Sequence, residues 1–245
     1  MNIFWKFLPV LMVEIVKADV PFHITNKGGE ILWIGIQGNP NNPNLNNGGF
    51  KLNPGETITV LAPDNWQGRL WGRTGCDDQT NHCVTGDCGD KLECAGSGGV
   101  PPVTLVEITL KGDSGLDNYD VSLVDGYNIE ASIEPVNGQS DGSDTSCKKG
   151  ECGNNVNDQC PPELQQKNGD QVVACKSACL AFNTDEYCCK GAHDTRETCQ
   201  RSDWPTDYAA PFKNACPNAY SYAYDDPGSL MTCKANEYII NFGGV

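Results

Sequence analysis

Three carboxylates lie near one another in the middle of the chain. Glu107 sits in VTLVEITL (103–110), and Asp120 and Asp125 sit in YDVSLVDG (119–126). Hydrolysis of a glycosidic bond asks for two such groups across the scissile bond. One protonates the leaving oxygen, and the other acts as nucleophile or activates water. With 32 Asp and Glu in 245 residues, abundance says nothing. Alternation says more. In a strand, Val106, Ile108 and Leu110 share one face, which puts Glu107 on the other with Leu105 and Thr109. Tyr119, Val121 and Leu123 likewise share a face, Asp120 points away, and Asp125 follows at a DG turn. The acids can then meet on the exposed face of one sheet. The competing reading is a solvated acidic surface that binds sugars or a cation without catalysis. A second motif, GDSGL (112–116), has the look of a serine-protease signature. A serine nucleophile needs a His base and an orienting Asp, and no His lies in a suitable upstream motif.

CVTGDC (83–88) raises a different chemistry: metal knuckle, redox pair or disulfide corner. The three histidines, His23, His82 and His193, are scattered, and the second half-site of a zinc motif is missing. A thioredoxin-type Cys-x-x-Cys on a βαβ unit is also missing. The expectation is no metal and no cofactor, with Cys83 and Cys88 as half-cystines. The total of 14 Cys is even, as a complete disulfide set in an exported chain requires.

The N-terminal MNIFWKFLPVLMVEIVKA fits export. Lys6 provides a basic start, Phe7 to Val13 is mostly apolar, and Val16-Lys17-Ala18 suits a signal peptidase. Residues 1–18 are read as a signal peptide and the mature chain as secreted; a buried N-terminal strand is the alternative. The apolar run is shorter than the roughly 20 residues a bilayer span needs. The net charge of −15 opposes nucleic acid and anionic membranes as partners. Neutral polymers such as glycans meet no such repulsion.

The elements that must position these groups read as strands. ILWIGI (31–36), ETITVLA (56–62), GRLWGR (68–73), VTLVEITL, YDVSLV (119–124), NIEASIE (128–134) and EYIINF (237–242) are short apolar runs bounded by Gly, Pro, Asn and Asp. Strand after strand without helices argues for a sandwich or barrel. NPNNPNLNNGG (39–49) reads as a turn-rich loop. The cysteines cluster at 76–94 and 147–233. The second cluster has little apolar mass, depends on its bridges, and holds one helix candidate, SACLAFNTDEYCC (177–189), with Leu180, Ala181 and Tyr187 toward a small core. The expected fold is mainly β: a sandwich from 19–73, 104–153 and 217–245, a small disulfide loop region at 74–103, and a disulfide-rich lobe with a short helix at 154–216. Trp66, Trp71, Tyr119, Tyr127, Tyr220 and Tyr222 are the aromatic residues near enough in sequence to stack on a sugar, though most suit packing better.

Several stretches together carry a family resemblance: GRLWGRTGC (68–76), CVTGDCGDKLEC (83–94), PPVTLVEITL (101–110), LDNYDVSLVDGYN (116–128), CPPELQ (160–165), EYCC (186–189) and CPNAYSYAYDDP (216–227). In this order they resemble the thaumatin-like, pathogenesis-related group 5 proteins, over essentially the whole mature chain. The resemblance implies a β-sandwich with two disulfide-rich lobes. It implies the pairs Cys76–Cys83, Cys88–Cys94, Cys147–Cys233, Cys152–Cys216, Cys160–Cys175, Cys179–Cys188 and Cys189–Cys199. It also implies an acidic cleft of Arg69, Glu107, Asp120, Asp125 and Asp226, with Arg73 and Asp225 as neighbouring alternatives. Such a cleft is associated with β-1,3-glucan, so the expected role is a secreted, monomeric, antifungal-type defence protein. Alternatives are a weak endo-β-1,3-glucanase, with Glu107 as acid and Asp125 or Asp120 as base or nucleophile, and an inhibitor of a foreign hydrolase. Two departures stand out. Gly28 and Gly243 occupy the places of a further bridge in many relatives, and Asp90 replaces a glycine in GDCGG.

Overall fold

The computed structural model describes residues 19–245; the expected signal peptide lies outside the described residues. Two sheets face each other. The smaller has the order β10-β9-β14-β1-β4, built from β1 (Val20–Asn26), β4 (Thr57–Ala62), β9 (Ala131–Pro135), β10 (Gly150–Cys152) and β14 (Tyr238–Phe242). The larger has the order β13-β8-β7-β5-β2-β3. Its strands are β2 (Leu32–Gly38), β3 (Gly49–Leu52), β5 (Gln67–Cys76), β7 (Leu105–Thr109), β8 (Asp117–Ser122) and β13 (Met231–Cys233), and β6 (Cys83–Thr85) pairs with the end of β5.

Period-two alternation sends one side of each strand inward. Phe22, Ile24, Val60, Ile133, Ile240 and Phe242 from the small sheet meet Ile34, Ile36, Leu70, Val106, Ile108, Tyr119 and Val121 from the large one in a single core. Its ring pairs are edge-to-face, with Phe22–Trp66 centroids 5.8 Å apart and Tyr119–Tyr238 5.4 Å. β1 and β14 run parallel with Asn26 opposite Phe242. A Cβ on Gly243 would come 2.9 Å from the Gly28 nitrogen, so the two glycines of the absent bridge do face each other.

The outer face of the large sheet has its own cover. Trp71 and Leu105 pack with Val103 and the Cys88–Cys94 bridge, beneath the small disulfide loop. A Cβ at Gly35 would lie 2.2 Å from the Trp71 ring, so only glycine fits opposite that indole.

The lobe carries the hairpin β11 (Gln165–Asn168) and β12 (Gln171–Cys175), and the helices α1 (Ala178–Phe182), α2 (Asp185–Cys188) and α3 (Ala210–Ala215). The expected helix over 177–189 forms in two pieces. Ser177 caps α1 by accepting from the Leu180 N–H, and left-handed Asn183 stops it. Leu180, inside α1, faces solvent, correcting its expected core position, while Tyr187 is buried. Tyr187 packs against Trp204, with centroids 5.0 Å apart.

Seven disulfides join the pairs implied by the resemblance, and no described cysteine is free. NIEASIE enters its strand only at Ala131. Asn128 is instead a bracket, its amide donating to the Gly72 carbonyl and Thr85 Oγ1, both at 2.8 Å.

Candidate functional site

Arg69, Glu107 and Asp120 form one lateral row. Arg69 on β5 is opposite Glu107 on β7, and Glu107 is opposite Asp120 on β8. Adjacent strands lie about 4.8 Å apart, so three ionisable side chains project side by side from the same face. Arg69 Nη2 is 3.7 Å from Glu107 Oε1, and both side chains are about one-third exposed.

The row's environment raises the proton affinity of both its acids. Burial raises the proton affinity of Glu107, the charge of Arg69 opposes that shift, and the charge of Asp125 adds to it. Burial, then the charge of Glu107, hold Asp120 well above the usual carboxylate range, against the pull of Arg69. The Asp120 Oδ1 is shielded from solvent and has no hydrogen-bond partner. An ionised oxygen in that position would be costly, so Asp120 is suited to keep its proton. Asp125 sits in the turn after β8, where its carbonyl accepts from the Val103 N–H at 3.1 Å.

Asp226 reaches the row through Tyr220. The Tyr220 N–H donates to the Val121 carbonyl at 2.9 Å, and the Leu123 N–H to the Tyr220 carbonyl at 2.8 Å, which docks this segment along β8. The Tyr220 hydroxyl donates to Asp226 Oδ1 at 2.7 Å. Burial, then the charge of Asp120, push that hydroxyl's pKa upward, and Glu107 adds to the shift. The other Asp226 oxygen pairs with Arg196. Arg196 escapes the strand pattern because it lies in an irregular loop. Its signal in the sequence is scarcity, since the chain has only four arginines.

The neighbouring alternatives are engaged in structural contacts. Arg73 is fully buried. It donates to the carbonyls of Trp33, Ile34, Lys91 and Leu92 and holds the small disulfide loop against the sheet. Burial lowers its pKa to about 10, opposed by the charge of Asp87. Asp225 is buried, accepts from the Ser221 N–H and hydroxyl, and pairs with Lys213 at 2.9 Å. Trp66, Trp71, Tyr119 and Tyr127 are fully buried and offer no face to a ligand; Tyr220 and Tyr222 are partly exposed.

His82, Asp87 and Asp90 bring ligand atoms within 4.8 Å of one another on the small disulfide loop. Asp87 is already committed, since it accepts from the N–H groups of Cys83, Gly89 and Asp90. His82 Nδ1 is 2.8 Å from Asp90 Oδ1. These contacts tie the loop to itself.

A two-sheet β-sandwich with a disulfide-stapled lobe, a second disulfide loop on its outer face and an arginine–acid row across three strands of the large sheet defines a thaumatin-like protein. The thaumatin family model matches residues 26–244, and the chain belongs to that family. It is 48% identical over 239 residues to pathogenesis-related protein 5 of Arabidopsis thaliana, covering 96% of this chain and 95% of that protein. It is 46% identical over 224 residues to pathogenesis-related thaumatin-like protein 3.5 of Cryptomeria japonica, covering 90% and 88%. In fold it is similar to a laminaripentaose-producing β-1,3-glucanase of glycoside hydrolase family 64 from Paenibacillus barengoltzii, solved with laminarihexaose. The TM-score is 0.55 at 12% identity, over 97% of this chain and 79% of that one.

Proposed function

We propose that this protein is a secreted, antifungal-type defence protein that binds β-1,3-glucan in a cleft walled by Arg69, Glu107, Asp120, Asp125 and Asp226. The observation that carries the reading is the register row Arg69–Glu107–Asp120, fixed across three hydrogen-bonded strands. Rigidly held donors and acceptors recognise sugar hydroxyls without an ordering cost. A neutral polymer also avoids the repulsion that a net charge of −15 imposes on anions. Seven disulfides suit the oxidising space outside the cell. The Paenibacillus glucanase shares the fold, and the residues that speak for glucan here are this chain's own.

Slow hydrolysis is the second reading, favoured by the raised proton affinity of Glu107 beside Asp125. Glu107 would protonate the glycosidic oxygen, and Asp125 would take the proton of the attacking water or attack directly. Asp120, which holds its proton most firmly, suits neither of the roles that need a free carboxylate. Incubating the protein with laminarin, and measuring both reducing ends and depletion onto insoluble glucan, separates the readings. Depletion without reducing ends is expected. Reducing ends abolished by Glu107→Gln would establish hydrolysis, and neither depletion nor reducing ends would refute both.

A further inference from the structure

A groove lies beyond Asp226, between the lobe segment 196–202 and the turn 222–227. Its volume of about 360 Å³ is at the small end of the range for small-molecule sites, about 300–1,000 Å³. Tyr222, Tyr224, Arg196, Arg201, Gln200 and Ser202 line it, together with Pro227 and with Asp225, whose carboxylate is already paired with Lys213.

Both rings are held in place. Tyr222 rests on Trp204, edge to face, with centroids 5.4 Å apart. Tyr224 lies under the Arg196 guanidinium at 5.9 Å, and its hydroxyl donates to the Asp194 carbonyl. A stacking surface that is already ordered loses little entropy when a sugar face settles on it. The two guanidiniums are also fixed. Arg201 grips Asp207 with Nε and Nη2, at 3.0 and 2.7 Å, and Arg196 pairs with Asp226 while donating to the Tyr224 carbonyl at 3.2 Å. Each guanidinium has five N–H donors, so each keeps donors to spare. Their positive charge is matched by those two carboxylates, which leaves directional donors without a net attraction for anions. Gln200 and Ser202, both exposed or nearly so, add an amide and a hydroxyl. Rings, neutralised guanidiniums and neutral polar groups suit an uncharged pyranose.

Asp226 links this groove to the acidic row. Its Oδ1 takes the Tyr220 hydroxyl on the side of the row, and its Oδ2 takes Arg196 on the side of the groove. We infer that the groove is a pyranose subsite extending the acidic cleft, so that the protein holds a glucan chain longer than the row alone can contact. The inference rests on the glucan reading proposed above and adds a dependence on chain length.

Isothermal titration of the full protein with laminaribiose and laminarihexaose tests it. Two groove variants are used: Tyr224→Ala, which removes a ring, and the surface double variant Gln200→Ala/Ser202→Ala, which removes neutral hydrogen bonds from exposed positions. Each is expected to weaken laminarihexaose about three- to tenfold, as loss of a ring contact or a neutral hydrogen bond predicts. Laminaribiose affinity should stay at the wild-type value, and Tyr224→Phe should bind the hexaose as wild type does. If both groove variants bind laminarihexaose as tightly as wild type while Glu107→Gln/Asp125→Asn does not, the groove is no subsite and the cleft reading stands. If wild type binds no laminari-oligosaccharide, the cleft reading itself fails and the groove with it.

Discussion

Asp120 and Glu107 are neighbours across one strand pair, and their proton affinities rise together. For Asp120 the consequence is a stability profile. The folded form holds its proton to higher pH than the unfolded form, whose carboxyl titrates at about 4. Between those two values the folded state binds more protons, so stability falls as pH rises through the window. Asp120→Asn has no proton to lose. Its melting temperature should match wild type near pH 4 and exceed it at pH 7. Parallel profiles at both pH values, with the variant lower, would contradict the assignment. Arg69 acts oppositely. Its pair with Glu107 is part-exposed, so Arg69→Gln should cost under about 1 kcal/mol of stability. Removing the cation that restrains Glu107 should nonetheless move the pH profile of glucan binding, or of any turnover, to higher pH. An unshifted profile would show that Glu107 does not set it. Glu107 and Asp120 were legible in the sequence because alternation separates them from the core, whereas Arg69 came from the family resemblance. Asp226 was reachable only by resemblance, and Arg196 not at all, because no periodic pattern governs the loops that hold them.

At the scale of elements, the small disulfide loop stays on the sheet through a buried arginine. Arg73→Met keeps the aliphatic volume but removes the donors to four carbonyls of the adjoining strand and loop. Stranding several buried acceptors should cost about 3–5 kcal/mol. Denaturant unfolding should read that loss, and hydrogen exchange should show residues 83–95 opening first. A cost under about 1 kcal/mol would mean that the bridges alone hold the loop. Most of the longer strands were readable because each spans a half-buried face, but β1, VPFHITN, was missed although its burial alternates over its first five residues. β6, β10 and β13 were not, being three residues long and dictated by their partners and by nearby bridges. β11, QQKN, has no apolar pattern at all and exists as the mate of β12 across the Cys160–Cys175 bridge. The split between α1 and α2 was equally hidden, since periodicity over 177–189 continues through the left-handed Asn183 that ends α1.

For the whole molecule, the net charge of −15 should keep it off phosphatidylserine vesicles at neutral pH and low salt, where repulsion is least screened. Sedimentation with such vesicles should leave it in the supernatant. Overall class was the most legible feature, because an even cysteine count and a succession of short strands constrain the chain at every point. What composition could not convey is how the two ends of the chain are tied. β1 and β14 pair in parallel through five register positions, and Gly28 and Gly243 face each other just beyond them. Installing Gly28→Cys with Gly243→Cys should therefore close an eighth bridge. Chain-entropy reasoning gives about 5 kcal/mol for so long a loop. The gain is reduced because Gly243 has φ +75°, a conformation that costs a side chain about 1–2 kcal/mol, and because the backbones approach closely. A net gain of about 3 kcal/mol should raise the melting temperature by about 6–12 °C. The serine double variant carries the same steric load without the bond and should melt below wild type. If the cysteine pair oxidises, as intact mass would show, yet melts no higher than the serine pair, then the paired strands already confine the chain ends in the unfolded ensemble and the missing bridge was redundant.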